Sequence, residues 1–340
     1  MLVDDFDFFL PEELIAQDPL PKRDASRLMV LDRSNKSIRN ASFDHIIDYL
    51  NPGDVLVLNN TKVIPARLHG TKVSTGANIE IFLLSPRGDN IWSVLVKPAK
   101  RLKVGDTVRF ADEFSAEIIA VADEGMMEVR LSFQGDFTQV LQKYGEIPLP
   151  PYIRKKLEDP SRYQTVYAKY EGSVAAPTAG LHFTQELLAN VKAKGIEVVF
   201  ITLQVGLGTF RPVKADKVEE HIMHSEVFEL TQATADTLNK VRAAGGRIVA
   251  VGTTSVRTLE SVADEAGTFA AKSGATDIYI YPGYEYKAVD AIITNFHLPK
   301  STLVMLVSAF AGKAFIKKAY EEAVKEKYRF FSFGDSMFIQ

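Results

Sequence analysis

Apolar positions along the chain follow two rhythms. From residue 173 onward, continuous apolar runs alternate with amphipathic stretches. This spacing predicts a helix over 184–194 leading to a strand over 196–205, then a strand over 227–230 before a helix over 231–244. A strand over 247–252 enters a helix over 254–265, strands follow over 277–281 and 289–294, and a last helix over 302–326 breaks near Gly312. Alternation of this kind predicts an α/β fold with a mostly parallel sheet and helices on its faces. Residues 66–150 instead carry six short strand-like runs, among them NIEIFLL, IWSVLV and MMEVRLSF, separated by turn sequences such as Arg87-Gly88-Asp89-Asn90. That texture predicts a small antiparallel barrel or sandwich. Residues 1–65 offer short helices over 11–17 and 43–50, an extended stretch, and the strand VLVLNN. These are too few to bury a core alone. The chain therefore divides into a discontinuous α/β domain, 1–65 with 151–340, and an inserted β domain, 66–150, with Pro65 and the Pro148–Pro151 cluster as seams.

Composition narrows the chemistry. The 340 residues carry a formal charge of −3 and no cysteine. Thiolate catalysis, disulfides, iron–sulfur clusters and cysteine zinc sites are excluded together. The acidic start MLVDDFDFFLPEEL lacks a signal pattern, and the longest apolar run, 303–311, is about half of a membrane span. A cytoplasmic protein is expected. With no global positive field, a nucleic-acid site must be a local patch. Two patches qualify: Lys100, Arg101 and Lys103 on a loop of the insert, and Arg154, Lys155 and Lys156 beside Tyr152, Tyr163, Tyr167 and Tyr170. Either is equally a solvated loop by charge alone. Arg23, Asp24 and Arg27 read as salt-bridged surface.

Candidate chemistry gathers on loops that leave strands or enter helices. The segment SVAAPTAGLHFT sets Thr178, Gly180 and His182 among small residues, where backbone can approach a ligand. In RIVAVGTTSVRTLE, Gly252 permits a tight exit and Thr253, Thr254 and Ser255 surround a helix N-terminus, an anion site by construction. Arg257 adds a two-pronged grip for a carboxylate or phosphate. Asn295 and His297 flank Phe296 where a strand meets a helix. Gly206-Leu207-Gly208-Thr209 with Arg211 forms a second glycine loop, but Arg211 and Pro212 spoil a dinucleotide fingerprint. His221, His224 and Glu226 offer a metal pair with an uncertain third ligand. No G-x-S-x-G elbow supports a hydrolase at Ser255 or Ser301.

Eight stretches in combination carry a resemblance. They are PKRDASRLMVLDR (21–33), NNTKVIPARL (59–68), AAPTAGLHFT (175–184), GLGTFRPV (206–213), HIMHSE (221–226), VGTTSVRTLES (251–261), TNFHLPKSTLVMLVSAF (294–310) and RFFSFGDSMFI (329–339). With these the chain resembles the S-adenosylmethionine:tRNA ribosyltransferase-isomerases of queuosine biosynthesis. That family usually reads Asn-Asp-Thr where this chain has Asn59-Asn60-Thr61, so the middle position is uncharged here. The resemblance implies an α/β domain with an inserted small β-barrel, no metal or other cofactor, and S-adenosylmethionine as co-substrate. It implies transfer of the ribosyl group to 7-aminomethyl-7-deazaguanine at the wobble position of tRNAs with a GUN anticodon, giving epoxyqueuosine, adenine and methionine. On that reading His182 and His297 are the candidate proton-transfer groups. Thr178, Gly180, Thr209, Arg211, Gly252, Thr253, Thr254, Ser255, Arg257 and Asn295 are candidate S-adenosylmethionine contacts. The basic patches would meet tRNA, and the protein would act as a monomer. Two other classes fit the same residues: a tRNA-binding module without catalysis, and a metal-dependent hydrolase on His221 and His224.

Overall fold

Four apolar runs supply the centre of the main sheet. In the computed structural model, which describes residues 1–155, 157–206, 208 and 213–340 (the Glu124 side chain aside), they are Val55–Asn59, Glu197–Leu203, Ile248–Val251 and Ala291–Asn295. Three of these strands are buried at every residue, the pattern of strands covered on both faces. The four run parallel, in the order 197–203, 55–59, 248–251, 291–295. On one flank, Glu226–Leu230 and then Lys272–Thr276 add antiparallel. On the other, Ser336–Ile339 pairs antiparallel with Ala291–Asn295 and parallel with Arg27–Asp32, and Ser37–Ser42 forms the edge.

The nine-stranded sheet is thus mixed, not mostly parallel. Parallel pairing needs a long crossover, usually a helix, and the flanks do not have one of the right parity. Arg27–Asp32 and Ser37–Ser42 are joined by a four-residue turn, which forces a hairpin. After Ala291–Asn295 the helix expected over 302–326 breaks at Gly312 (φ +94°), where the break was expected, into Thr302–Ala311 and Lys313–Lys325. Two helical passes return the chain to the sheet edge it left, so the last strand enters antiparallel. The expected helices over 11–17 and 43–50 are 3₁₀ turns, Glu12–Leu14 and Phe43–Tyr49. The strand expected over 277–281 lies instead at Lys272–Thr276.

One face of the sheet buries Leu28, Phe43, Leu56, Leu58, Val249, Ile293 and Phe338 together with Phe183, Leu187 and Val191. The last two belong to helix Gln185–Ala193, whose first turn is closed by Thr184 accepting from the Leu187 N–H. Among the described residues no helix is long and apolar enough to cross a membrane.

The chain separates into two compact units: Met1–Lys62 with Pro151–Tyr170 and Ala176–Gln340, and Val63–Pro150 with Glu171–Ala175. The second unit is a closed antiparallel barrel of six strands: Arg67–Lys72, Asn78–Gly88, Ile91–Lys97, Met126–Phe133, Phe114–Val121 and Thr107–Ala111. Thr71 opposite Arg109 closes the ring. Closure brings backbone against Gly70, where an added Cβ would stand 2.6 Å from the Arg109 carbonyl oxygen and 2.7 Å from the Phe110 ring. Gly70→Ala should therefore destabilise the protein by about 1–3 kcal/mol. Urea unfolding of the variant checks this, and an unmoved midpoint would show that the seam can open without cost.

Candidate active site

Strand polarity decides where the site lies. Because the four central strands are parallel, Asn59, Leu203, Val251 and Asn295 all end at one edge, where open α/β sheets bind ligands. Ser336–Ile339 begins at that edge, with Ser336 opposite Asn295 on one side and Leu28 on the other. The segments 23–26 and 329–335 therefore join the loops that follow Val251 and Asn295.

The turn Thr178–His182 packs onto the same edge, with the Ala179 Cβ only 3.6 Å from where a Cβ on Gly252 would stand. Thr178 is half-buried on it. Gly180 leaves its space to a protein group rather than a ligand, since a Cβ there would fall 2.0 Å from the Tyr167 hydroxyl. His182 is buried, its ring stacked on Phe43 at 4.9 Å. Its Nδ1 lies 2.7 Å from Ser26 Oγ. Asn295 donates through Nδ2 to the Phe331 carbonyl at 2.8 Å, which fixes the amide. Burial lowers the His182 pKa to about 4; Asn295 opposes the shift, and Arg329 and Arg23 reinforce it. His182 is neutral at pH 7. It lines a small, open cleft with Lys22, Arg23, Ser26, Arg162 and Ser332.

The other expected residues separate into three groups. His297 is buried near the same strand end, with Nε2 3.0 Å from Thr294 Oγ1 and its backbone N–H donating to the Tyr320 hydroxyl at 3.1 Å; burial lowers its pKa to about 3. Gly252 (φ +84°) starts helix Thr253–Val262, and Thr253 and Thr254 are half-buried there, with Thr254 Oγ1 unpartnered. Ser255 and Arg257 depart from the expectation. Ser255 is fully buried and donates to the Val251 carbonyl at 2.8 Å, so its hydroxyl faces the protein. Arg257 pairs through Nη1 with the buried carboxylate of Glu226, and its Nε donates to the Ile278 carbonyl. Two of its three nitrogens are thus committed to the protein, and only Nη2 is without a partner. Glu226 also accepts the Gly206 N–H at 3.0 Å, so the pair ties the helix to the glycine loop.

Thr209, Arg211 and Lys156 lie outside the described residues. Lys100, Arg101 and Lys103 are exposed on the barrel. Arg154 and Lys155 are exposed and paired with Glu12 and Asp18 at 2.9 and 2.6 Å. His221 stands edge-on to Tyr279, and the His224 ring fills the space beside Gly208. Among the described residues no three histidines or carboxylates are grouped to hold a metal. Asn60 accepts from Thr202 Oγ1 at 2.7 Å, and its carbonyl accepts the Lys169 N–H at 2.8 Å. Sequence reasoning missed Ser26, Arg162 and Ser332 and read Arg23 as surface; only the density of charge in PKRDAS hinted at them.

Fold and cleft together define an α/β protein with a barrel insert, whose parallel strand ends carry a neutral histidine beside cations that make no ion pair among the described residues. The chain belongs to the queuosine biosynthesis protein family, whose model matches residues 3–339. It is also similar to the crystal structure of an S-adenosylmethionine tRNA ribosyltransferase from Thermotoga maritima, with 40% identity over 99% of this chain and 100% of that one and a TM-score of 0.56.

Two outcomes follow for stability. A histidine whose folded pKa lies below its ordinary 6.5 binds fewer protons folded than unfolded. Stability is therefore fullest above pH 6.5 and falls as pH drops toward about 4 for His182 and about 3 for His297. His182→Gln should flatten the dependence of unfolding free energy on pH between 6.5 and 4, and an unchanged slope would contradict the buried, neutral ring. Removing one member of a buried ion pair leaves an uncompensated charge, so Glu226→Gln should cost about 3–5 kcal/mol. Chemical denaturation should find the double variant Glu226→Gln/Arg257→Met more stable than Glu226→Gln alone.

Proposed function

We propose that the protein moves the ribosyl group of S-adenosylmethionine onto 7-aminomethyl-7-deazaguanine at the wobble position of tRNAs with a GUN anticodon, and isomerises it to epoxyqueuosine with release of adenine and methionine. The observation that carries this reading is likeness over nearly the whole chain to a ribosyltransferase. The reading is supported by a cleft at the strand ends lined by His182, whose ring interacts with Asn295.

The electrophile brings its own activation. A sulfonium withdraws electrons from the adjacent ribose carbon, so a base removes a proton there, and adenine leaves with a proton of its own. His182, held near pKa 4, is a weak base at neutral pH. The aminomethyl group of the RNA base takes the first proton on this reading, and His182 orients the ribosyl group through Nε2. His297 holds the turn after Asn295. Thr178, the helix start at Gly252–Thr254, Asn295, Thr209 and Arg211 contact S-adenosylmethionine. Lys100, Arg101 and Lys103, with Arg154–Lys156, meet the tRNA backbone. The enzyme acts as a cytoplasmic monomer with S-adenosylmethionine as co-substrate and without a metal.

Incubation with S-adenosylmethionine and tRNA bearing 7-aminomethyl-7-deazaguanine should release adenine and methionine in equal amounts and leave a cyclopentanediol epoxide on the base. His182→Ala should lower kcat/KM by about ten- to a hundredfold, the loss of one positioning hydrogen bond, and His297→Ala by much less once folding is controlled for. Retained adenine with a methyl group on the tRNA would make the protein a methyltransferase instead.

A further inference from the structure

Two arginines in the His182 pocket carry charge that the protein does not neutralise. Arg23 donates to the Leu181 and Ser161 carbonyls, both at 3.2 Å. Arg162 donates to the Pro21 and Leu20 carbonyls at 3.3 and 2.6 Å, and its buried Nε has no partner. Among the described residues neither makes an ion pair, and the exposed Lys22 beside them has none either. Asp159 is the carboxylate whose charge reaches both Arg23 and Arg162, but it is exposed, forms no ion pair with either, and accepts from the Ser161 N–H at 2.9 Å. Burial and the neighbouring Arg162 both work against the charge on Arg23. Main-chain carbonyls hold a guanidinium in place without cancelling it, and half-buried cations repel each other at low dielectric. Ser26 and Ser332 add hydroxyls to the wall.

We infer that this pocket, walled by Lys22, Arg23, Ser26, Arg162 and Ser332 beside His182, is the oxyanion subsite of the enzyme. Arg23 and Arg162 grip a singly charged oxyanion there, a role that Arg257 does not fill because Glu226 occupies it. The inference rests on the proposed function, in which two substrates bring such a group: the carboxylate of S-adenosylmethionine and a phosphodiester of the tRNA.

The test uses the full-length protein and the variants Arg162→Gln and Lys22→Gln, the latter an exposed side chain whose loss leaves folding intact. S-adenosylmethionine binding is measured by calorimetry and binding of a tRNA transcript by filter retention, with inorganic phosphate as competitor. Arg162→Gln should weaken one of the two ligands about ten- to a hundredfold, and Lys22→Gln should weaken the same ligand by a smaller factor. Phosphate should compete with that ligand in the unsubstituted protein. Loss confined to S-adenosylmethionine, with decarboxylated S-adenosylmethionine insensitive to the substitution, assigns the carboxylate. Loss confined to tRNA, with the salt slope reduced by about one, assigns the phosphodiester. Unchanged affinity for both ligands in both variants, with no phosphate competition, overturns the subsite and makes the arginines structural staples that move only the melting temperature. An unsubstituted protein that binds neither substrate and releases no adenine overturns the proposed function separately.

Discussion

Hydrogen bonding of Ser336–Ile339 to two strands at once joins the first fifty residues to the sheet. Arg27–Asp32 has only this strand and its own hairpin partner Ser37–Ser42 as neighbours. The inserted strand is buried throughout, with Met337, Phe338 and Ile339 fully covered. Its register puts Ser336 between Leu28 and Asn295. That one placement brings Ser26 within hydrogen-bond reach of His182 and sets Ser332 in the wall of the same pocket. Residues more than 150 positions apart in sequence become neighbours because the last strand runs between the first strand and the parallel centre.

The same edge collects buried polar atoms, among them His182 Nε2, Asn295 Oδ1, Thr254 Oγ1 and Arg162 Nε. Asn295 and His182 interact with each other, so the two side chains are set as a pair at the strand ends. Asn295 illustrates the preparation. Its amide nitrogen is held by the Phe331 carbonyl, which leaves the oxygen oriented before any substrate arrives. His182 is prepared in a different way, since Phe43 and Ser26 fix its ring while burial and two arginines keep it uncharged.

What the sequence made legible follows from which signals are local. The central strands were visible because burial on both faces leaves continuous apolar runs such as VLVLN and AIITN. The six barrel strands were visible by alternation. The edge strands Ser37–Ser42 and Lys272–Thr276 have little buried surface and hence no apolar pattern, and Ser336–Ile339 is only four residues long. Parallel against antiparallel pairing depends on how many times the chain crosses the sheet, which the expected break near Gly312 did not by itself decide. At the site, His182 stood out among small residues, and Asn295 and His297 stood out around Phe296. The pairing of Arg257 with Glu226, 31 residues away, could not be read from either motif. Nor could the opposite fate of Arg23, which looked like surface.

Arg257 and Arg23 show why residue type alone does not assign a binding role. Both are arginines on segments that reach the same edge of the sheet. Arg257 faces a carboxylate, so its field is closed locally and its energy goes into holding the helix against the Gly206 loop. Arg23 and Arg162 face carbonyls, which are dipoles, so they keep a net field that extends into the pocket. A chain of net charge −3 has no general attraction for an anionic substrate. An attractive potential at one point must come from cations left unpaired there, and the half-buried position of these arginines protects that potential from salt. Burial is the main reason the His182 ring is uncharged, and Arg329 and Arg23 add to it. Neutralising Arg23 therefore acts on the proposed oxyanion grip and, to a lesser degree, on the histidine, whereas neutralising Arg162 acts on the grip alone.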